Sequence, residues 1–150
     1  MAMWISQRLI RLFFLHAILI VSTQSSASTS QKNRNLIRQT FRRTNNFNLC
    51  AASLESDPQS LKADVKGLAH ISLQQVMVKA NQTLQIVGKL FNQTHDHLDY
   101  EFLGTCIEEY NKAVSIELPG AIIALNSNDY GESKQGAANV RDDANLCKQQ

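Results

Sequence analysis

Apolar side chains return at every third or fourth position through two long stretches of this chain, and that spacing gathers them on one stripe of a helix. The first stretch carries Leu61, Val65, Leu68, Ala69, Val76, Ala80, Val87 and Leu90; the second carries Leu103, Cys106, Ile107, Tyr110, Val114, Leu118, Ala121, Ile122 and Leu125. Asp129 offers a cap for a third helix, on which Tyr130, Ser133, Ala137, Val140, Ala144 and Cys147 follow the same steps with smaller side chains. The first helix has two candidate starts, Asp57 before Pro58 and then Asp64, and is expected to end near Phe91, with a loop over 92–98. Pro119 is expected to kink the second. Only two prolines and six glycines interrupt 150 residues, so the expected class is all-α, an up-and-down helical bundle.

The first 27 residues read differently. Arg8 and Arg11 precede an apolar run over 12–21, and Ser25-Ser26-Ala27 follows, the pattern of a signal peptide cleaved after Ala27. The run is shorter than the roughly 20 residues that span a bilayer. An uncleaved anchor is the alternative, and no later segment could span a membrane. Of the 15 Lys and Arg, two lie in this leader, which contains none of the 13 Asp and Glu, so residues 28–150 are electrically neutral. Lys32, Arg34, Arg38, Arg42 and Arg43 form a basic arm; the body beyond it holds eight basic and thirteen acidic residues. A solvated helix face accounts for the arm, with attraction to acidic polysaccharide or lipid as the alternative. The acidic body lacks the basic, aromatic-studded stripe that nucleic acid needs.

Local motifs sharpen the bundle. Phe47-Asn48-Leu49-Cys50, Ser53-Leu54-Glu55-Ser56-Asp57-Pro58, Ala63-Asp64, Gly67-Leu68-Ala69, Cys106 with Tyr110, Leu118-Pro119 before Ala124-Leu125, Asp129-Tyr130 and Cys147 follow one another in order. In that order and spacing the chain resembles the plant invertase/pectin methylesterase inhibitor family. The resemblance implies a four-helix-bundle inhibitor fold over residues 28–150, preceded by an N-terminal helical hairpin. It also implies a further amphipathic helix after the last cysteine, where this sequence has only Lys148-Gln149-Gln150, so the bundle is expected to lack most of its last helix.

The family's second disulfide falls on Cys106 and Cys147. Cys50 matches one half of the first, but its partner's place, nine residues earlier, holds Phe41, so Cys50 is expected to be free. Packing of Leu36, Ile37, Phe41, Phe47 and Leu49 would then hold the hairpin. A buried inert thiol, an intermolecular disulfide and a redox or metal role are the readings of Cys50. A homodimer through Cys50 or through the uncovered groove of the bundle is a further expectation.

What the resemblance implies for function is a secreted inhibitor of the apoplast and cell wall, or of the vacuole, that docks on pectin methylesterase or acid invertase and covers the substrate cleft. A truncated secreted interaction module that inhibits nothing is the reading from another class. Invertase inhibitors often carry Pro-Lys-Phe before the third bundle helix; this chain has Tyr130-Gly131-Glu132 there, which favours pectin methylesterase. Candidate target contacts are Asp129, Tyr130, Glu132 and Lys134, against a plainer reading of Asp129 as a cap and Tyr130 as core. Asn81-Gln82-Thr83 and Asn92-Gln93-Thr94 are glycosylation sequons.

Catalysis finds little material. His95-Asp96-His97 with Asp99 and Glu101 could approach a metal, but no comparable site completes the set and a solvated loop is the simpler reading. There is no Gly-rich phosphate loop, no nucleophile elbow and no evident carboxylate pair on facing helices. No cofactor, metal or catalytic residue is expected.

Overall fold

The computed structural model describes residues 31–149, and the expected signal peptide lies outside them. Two compact units divide at Leu68 and Ala69, within one long helix. The first holds helix α1 (31–41) and α2 (Phe47–Glu55), followed by a 3₁₀ turn (Ser60–Lys62) and the start of α3 (Val65–Gln93). The second holds the rest of α3, then α4 (His97–Lys112), a π-helical turn (Ala113–Glu117), α5 (Leu118–Asn126) and α6 (Tyr130–Gln149). The described residues contain helices and no strand.

In the first unit the α1–α2 hairpin is joined by charge as well as packing. Ile37 and Leu54 are buried, while Arg38 Nε donates to Glu55 Oε1 at 2.8 Å and Nη2 to Oε2 at 3.4 Å. Of the residues expected to pack this hairpin, Leu49 does not: it is 71% exposed. One member of the basic arm is therefore a cross-tie to α2, a fork-shaped donor matched to a carboxylate. Asp57 caps only a turn, its Oδ1 accepting from the Gln59 amide at 2.8 Å. The helix proper starts at the second candidate, where Asp64 Oδ1 accepts from Gly67 N at 2.7 Å.

The second unit is built of antiparallel neighbours. Leu73 and Ala80 of α3 share a core with Ala113, Leu118, Ala121, Leu125 and Val140, and Val87 packs with Leu103 and Cys106. The buried residues of α3 are Leu68, Ile71, Leu73, Ala80 and Val87; of the predicted stripe Leu68, Ala80 and Val87 are thus buried, while Val65, Val76 and Leu90 are exposed. The stripe of the second helix follows its periodicity closely: Leu103, Cys106, Leu118, Ala121 and Leu125 are buried. Pro119 is accommodated without a break. It cannot donate a backbone hydrogen bond, and the π turn over Ala113–Glu117 just before it widens the helix where the proline ring would crowd the preceding turn.

The α3–α4 connection is shorter than predicted, because α3 runs on to Gln93 and α4 starts at His97. Asp96 sets that start: its Oδ1 accepts from Leu98 N at 2.9 Å and Asp99 N at 3.1 Å. Asp96→Ala is expected to cost about 1 kcal/mol in urea denaturation, with Asp96→Asn nearly neutral; equal losses in both would assign the effect to charge instead of capping.

Candidate functional site

The α5–α6 corner owes its shape to backbone hydrogen bonds. Asp129 N donates to Ala124 O at 2.9 Å, and Asn128 N donates to Leu125 O at 3.1 Å. Asn128 stands at φ 62°, the left-handed position that closes a helix in this pattern, where asparagine substitutes for glycine. One residue later Asp129 opens α6: its Oδ1 accepts from Glu132 N at 3.0 Å and its carbonyl from Ser133 N at 3.1 Å. The stop signal of one helix and the start signal of the next are therefore adjacent, which leaves the corner few conformations.

This corner presents the candidate contact residues together. Asp129, Tyr130, Glu132 and Lys134 are all exposed. Tyr130 is 58% exposed, so the reading of it as core is corrected; its hydroxyl donates to Asn128 Oδ1 at 3.2 Å. Asp129 fulfils the cap while remaining solvent-facing. An aromatic ring, an acid and a base are held on a preset turn, which suits recognition of a protein surface.

The scaffold under the corner is locked in two places. Cys106 and Cys147 are bridged at 2.01 Å, joining α4 to the end of α6 across 41 residues of sequence. Nearer the corner α6 crosses α5 at Gly136, where an added Cβ would lie 2.9 Å from Ala121 Cβ and 3.2 Å from the Glu117 carbonyl oxygen. No other residue type allows backbones so close. The buried stripe of α6 is Ser133, Gly136, Val140 and Asp143, two of them polar and one without a side chain, whereas Ala137 of the predicted stripe is exposed.

Between these two locks lies a polar cluster that sequence reading missed. Lys112 Nζ reaches Asp143 Oδ1 at 2.6 Å and stands 3.9 Å from Glu117 Oε1; Asn139 Nδ2 donates to Glu117 Oε2 at 2.9 Å. Glu109 joins Asp143, so α4 and α6 do bring two carboxyl groups together, contrary to the expectation of no such pair. Asp143 is 3% exposed, and both its Oδ2 and Glu109 Oε2 are buried without a donor. Two carboxyl groups hydrogen-bond only by sharing a proton. Burial first, then the hydrogen bond to Asp143 and its charge, raise the Glu109 pKa above 4.5. Lys112 is also raised, chiefly by its hydrogen bond to Asp143. The cluster ties α4 and the π turn to α6, with Asp143 buried and Lys112 half exposed, and acts as a fastener. Its signal in the sequence was register: Glu109 follows Cys106 by one turn and Asp143 precedes Cys147 by one turn.

The sign of its pH effect follows. Glu109 keeps its proton to higher pH in the folded chain than in the unfolded one, so its contribution is full below about pH 4.5 and is lost as pH rises through the folded-state value. The Lys112 contribution persists below 10.5 and fades only in alkali. The Glu109 contribution to the melting temperature should be lost as pH rises above about 4.5, and Glu109→Gln, which carries a permanent donor, should remove that part of the pH dependence. An unchanged slope in the variant would contradict the assignment.

Elsewhere, His97 Nδ1 lies 3.6 Å from Glu101 Oε1, both strongly exposed, and His95 and Asp99 are exposed too. Among the described residues no three His, Cys, Asp or Glu side chains gather as metal ligands. Cys50 is an unbridged, half-buried thiol. No helix among the described residues is long and apolar enough to cross a membrane.

Comparison with known proteins finds a matching family and several relatives. The family model described as plant invertase/pectin methylesterase inhibitor matches residues 19–150. The chain is 34% identical over 134 residues to a pectinesterase inhibitor of Actinidia deliciosa, covering 89% of this chain and 72% of that protein. It is 30% identical over 138 residues to the cell wall / vacuolar inhibitor of fructosidase 2 of Arabidopsis thaliana, covering 91% of this chain and 76% of that protein.

Proposed function

The chain belongs to the plant invertase/pectin methylesterase inhibitor family, and on that footing we propose that it is exported and inhibits a plant cell-wall pectin methylesterase by docking over the substrate cleft. It is an inhibitor and not an enzyme. The observation that carries this reading is the α5–α6 corner, where Tyr130, Glu132 and Lys134 stand exposed on a turn fixed by Asn128 and Asp129. A preset surface binds without first having to order itself, so more of its contact energy appears as affinity. Tyr130-Gly131-Glu132 at this corner, in place of the Pro-Lys-Phe of many invertase inhibitors, supports pectin methylesterase as the target. A second reading, inhibition of acid invertase, draws on the similarity to the Arabidopsis fructosidase inhibitor.

The test mixes the folded protein with a plant pectin methylesterase and, separately, with an acid invertase, at acidic and at neutral pH. Stoichiometric loss of esterase activity, stronger at one pH than the other because charged groups meet at the interface, supports the proposal. Loss of invertase activity alone supports the second reading, and inhibition of neither removes both. Tyr130→Ala and Lys134→Glu should weaken inhibition without lowering the melting temperature, since both side chains are exposed.

A further inference from the structure

Two sequons lie on the same helix, and the structure treats them differently. Asn81 sits in the middle of α3, partly buried, with its Nδ2 donating to Met77 O at 3.0 Å; Thr83 Oγ1 donates to Lys79 O at 3.0 Å. Both polar side chains of that sequon are turned back onto the helix. Asn92 is exposed in the last turn of α3, and its sequon runs out of the helix, which ends at Gln93. Thr94 lies beyond that end, its Oγ1 accepting from Asp96 N at 3.3 Å in the short connection to α4. Helix ends open at low cost, whereas the middle of a 29-residue helix does not.

We infer that Asn92 carries an N-linked glycan and that Asn81 does not. This rests on the proposed export, because the donor, a lipid-pyrophosphate-linked oligosaccharide, and its transferase belong to the secretory compartment. In the transfer a bond forms between Asn92 Nδ2 and C1 of the first sugar. The bond from that C1 to the pyrophosphate oxygen breaks, the lipid pyrophosphate leaves, and the amide gives up one proton.

Position gives the modification its meaning. Asn92 lies at the α3–α4 corner, and the candidate docking residues lie at the α5–α6 corner. Between the two corners runs the helix from His97 to Asn126, 16, 5 and 9 residues in its three segments, roughly 45 Å at ~1.5 Å per residue. The glycan therefore shields one end of this unit and leaves the docking end open. Partner enzymes are excluded from the α3–α4 corner and admitted at the other.

The test translates the full chain in the presence of endoplasmic-reticulum microsomes. The expected result is a protease-protected product with one endoglycosidase-sensitive mobility step. Asn92→Gln and Thr94→Ala should abolish that step, while Asn81→Gln and Thr94→Ser should keep it. A protected chain without the step, or a step lost only with Asn81→Gln, overturns the inference and leaves export standing; a chain that is never protected overturns both. The glycosylated and enzymatically deglycosylated proteins should inhibit pectin methylesterase with equal potency. Stronger inhibition after deglycosylation would place the docking face at the α3–α4 corner and overturn the spatial assignment.

Discussion

Cys147→Ser is expected to lower the unfolding free energy by about 4 kcal/mol, because opening the Cys106–Cys147 bridge frees a loop of 41 residues in the unfolded chain. A loss of that size is comparable to the whole stability of many small domains. Cys106→Ser should cost about the same, and the double variant no more than either single one, since one bond is removed in all three. Reducing agent should bring the wild-type protein to the same denaturation midpoint. A loss much below 1 kcal/mol would mean that the α4–α6 register is maintained by Lys112, Asp143 and Gly136 without help from the bridge. Near-UV dichroism and binding of a hydrophobic dye distinguish the cases, as a collapsed register exposes the Leu103 and Val87 packing around the bridge.

Gly136→Val is expected to be strongly disruptive to the second unit. Its Cβ alone would fall 2.9 Å from Ala121 Cβ and 3.2 Å from a carbonyl oxygen that cannot move without bending the π turn. Overpacking of this kind costs about 1–3 kcal/mol and at times more, and two added methyl groups place valine at the upper end. Gly136→Ala should cost less, and Ala121→Gly should recover part of that loss, giving a coupling that a double-mutant cycle measures. Gly120→Ala is the control: nothing lies within 4 Å of its Cβ, so the change should stabilise by about 0.5–1 kcal/mol through helix propensity alone. Tolerance of Gly136→Val would contradict the close crossing of α5 and α6, and destabilisation by Gly120→Ala would contradict the open space around Gly120.

What the sequence disclosed and what it withheld divide along physical lines. The α4–α5 stripe was legible because one continuous helix buries large apolar residues on a single face, and Leu103, Cys106, Leu118 and Leu125 announce it. On α6 the pattern found Ser133 and Val140, which are buried, but missed Gly136 and Asp143, which serve close approach and an ion pair to Lys112 instead of apolar area. On α3 the pattern gave the helix and part of its face: Leu68, Ala80 and Val87 are buried as the period requires, while Val65, Val76 and Leu90 obey it and remain exposed. Asp129 was read correctly as a cap, a local property, while the exposure of Tyr130 depends on how α5 stops at Asn128. The carboxyl pair of Glu109 and Asp143 needed a register between two distant helices, which only the bridge at Cys106 and Cys147 supplies.

The proposed function requires a folded, bridged helical protein to occupy an enzyme's cleft one-to-one. Calorimetric titration of a plant pectin methylesterase with the oxidised protein at about pH 5 tests this most directly. The expected result is a saturable transition at equimolar ratio that runs parallel to the loss of esterase activity. A protein shown to be helical and disulfide-bonded that gives no saturable heat, and leaves the esterase fully active, would contradict it.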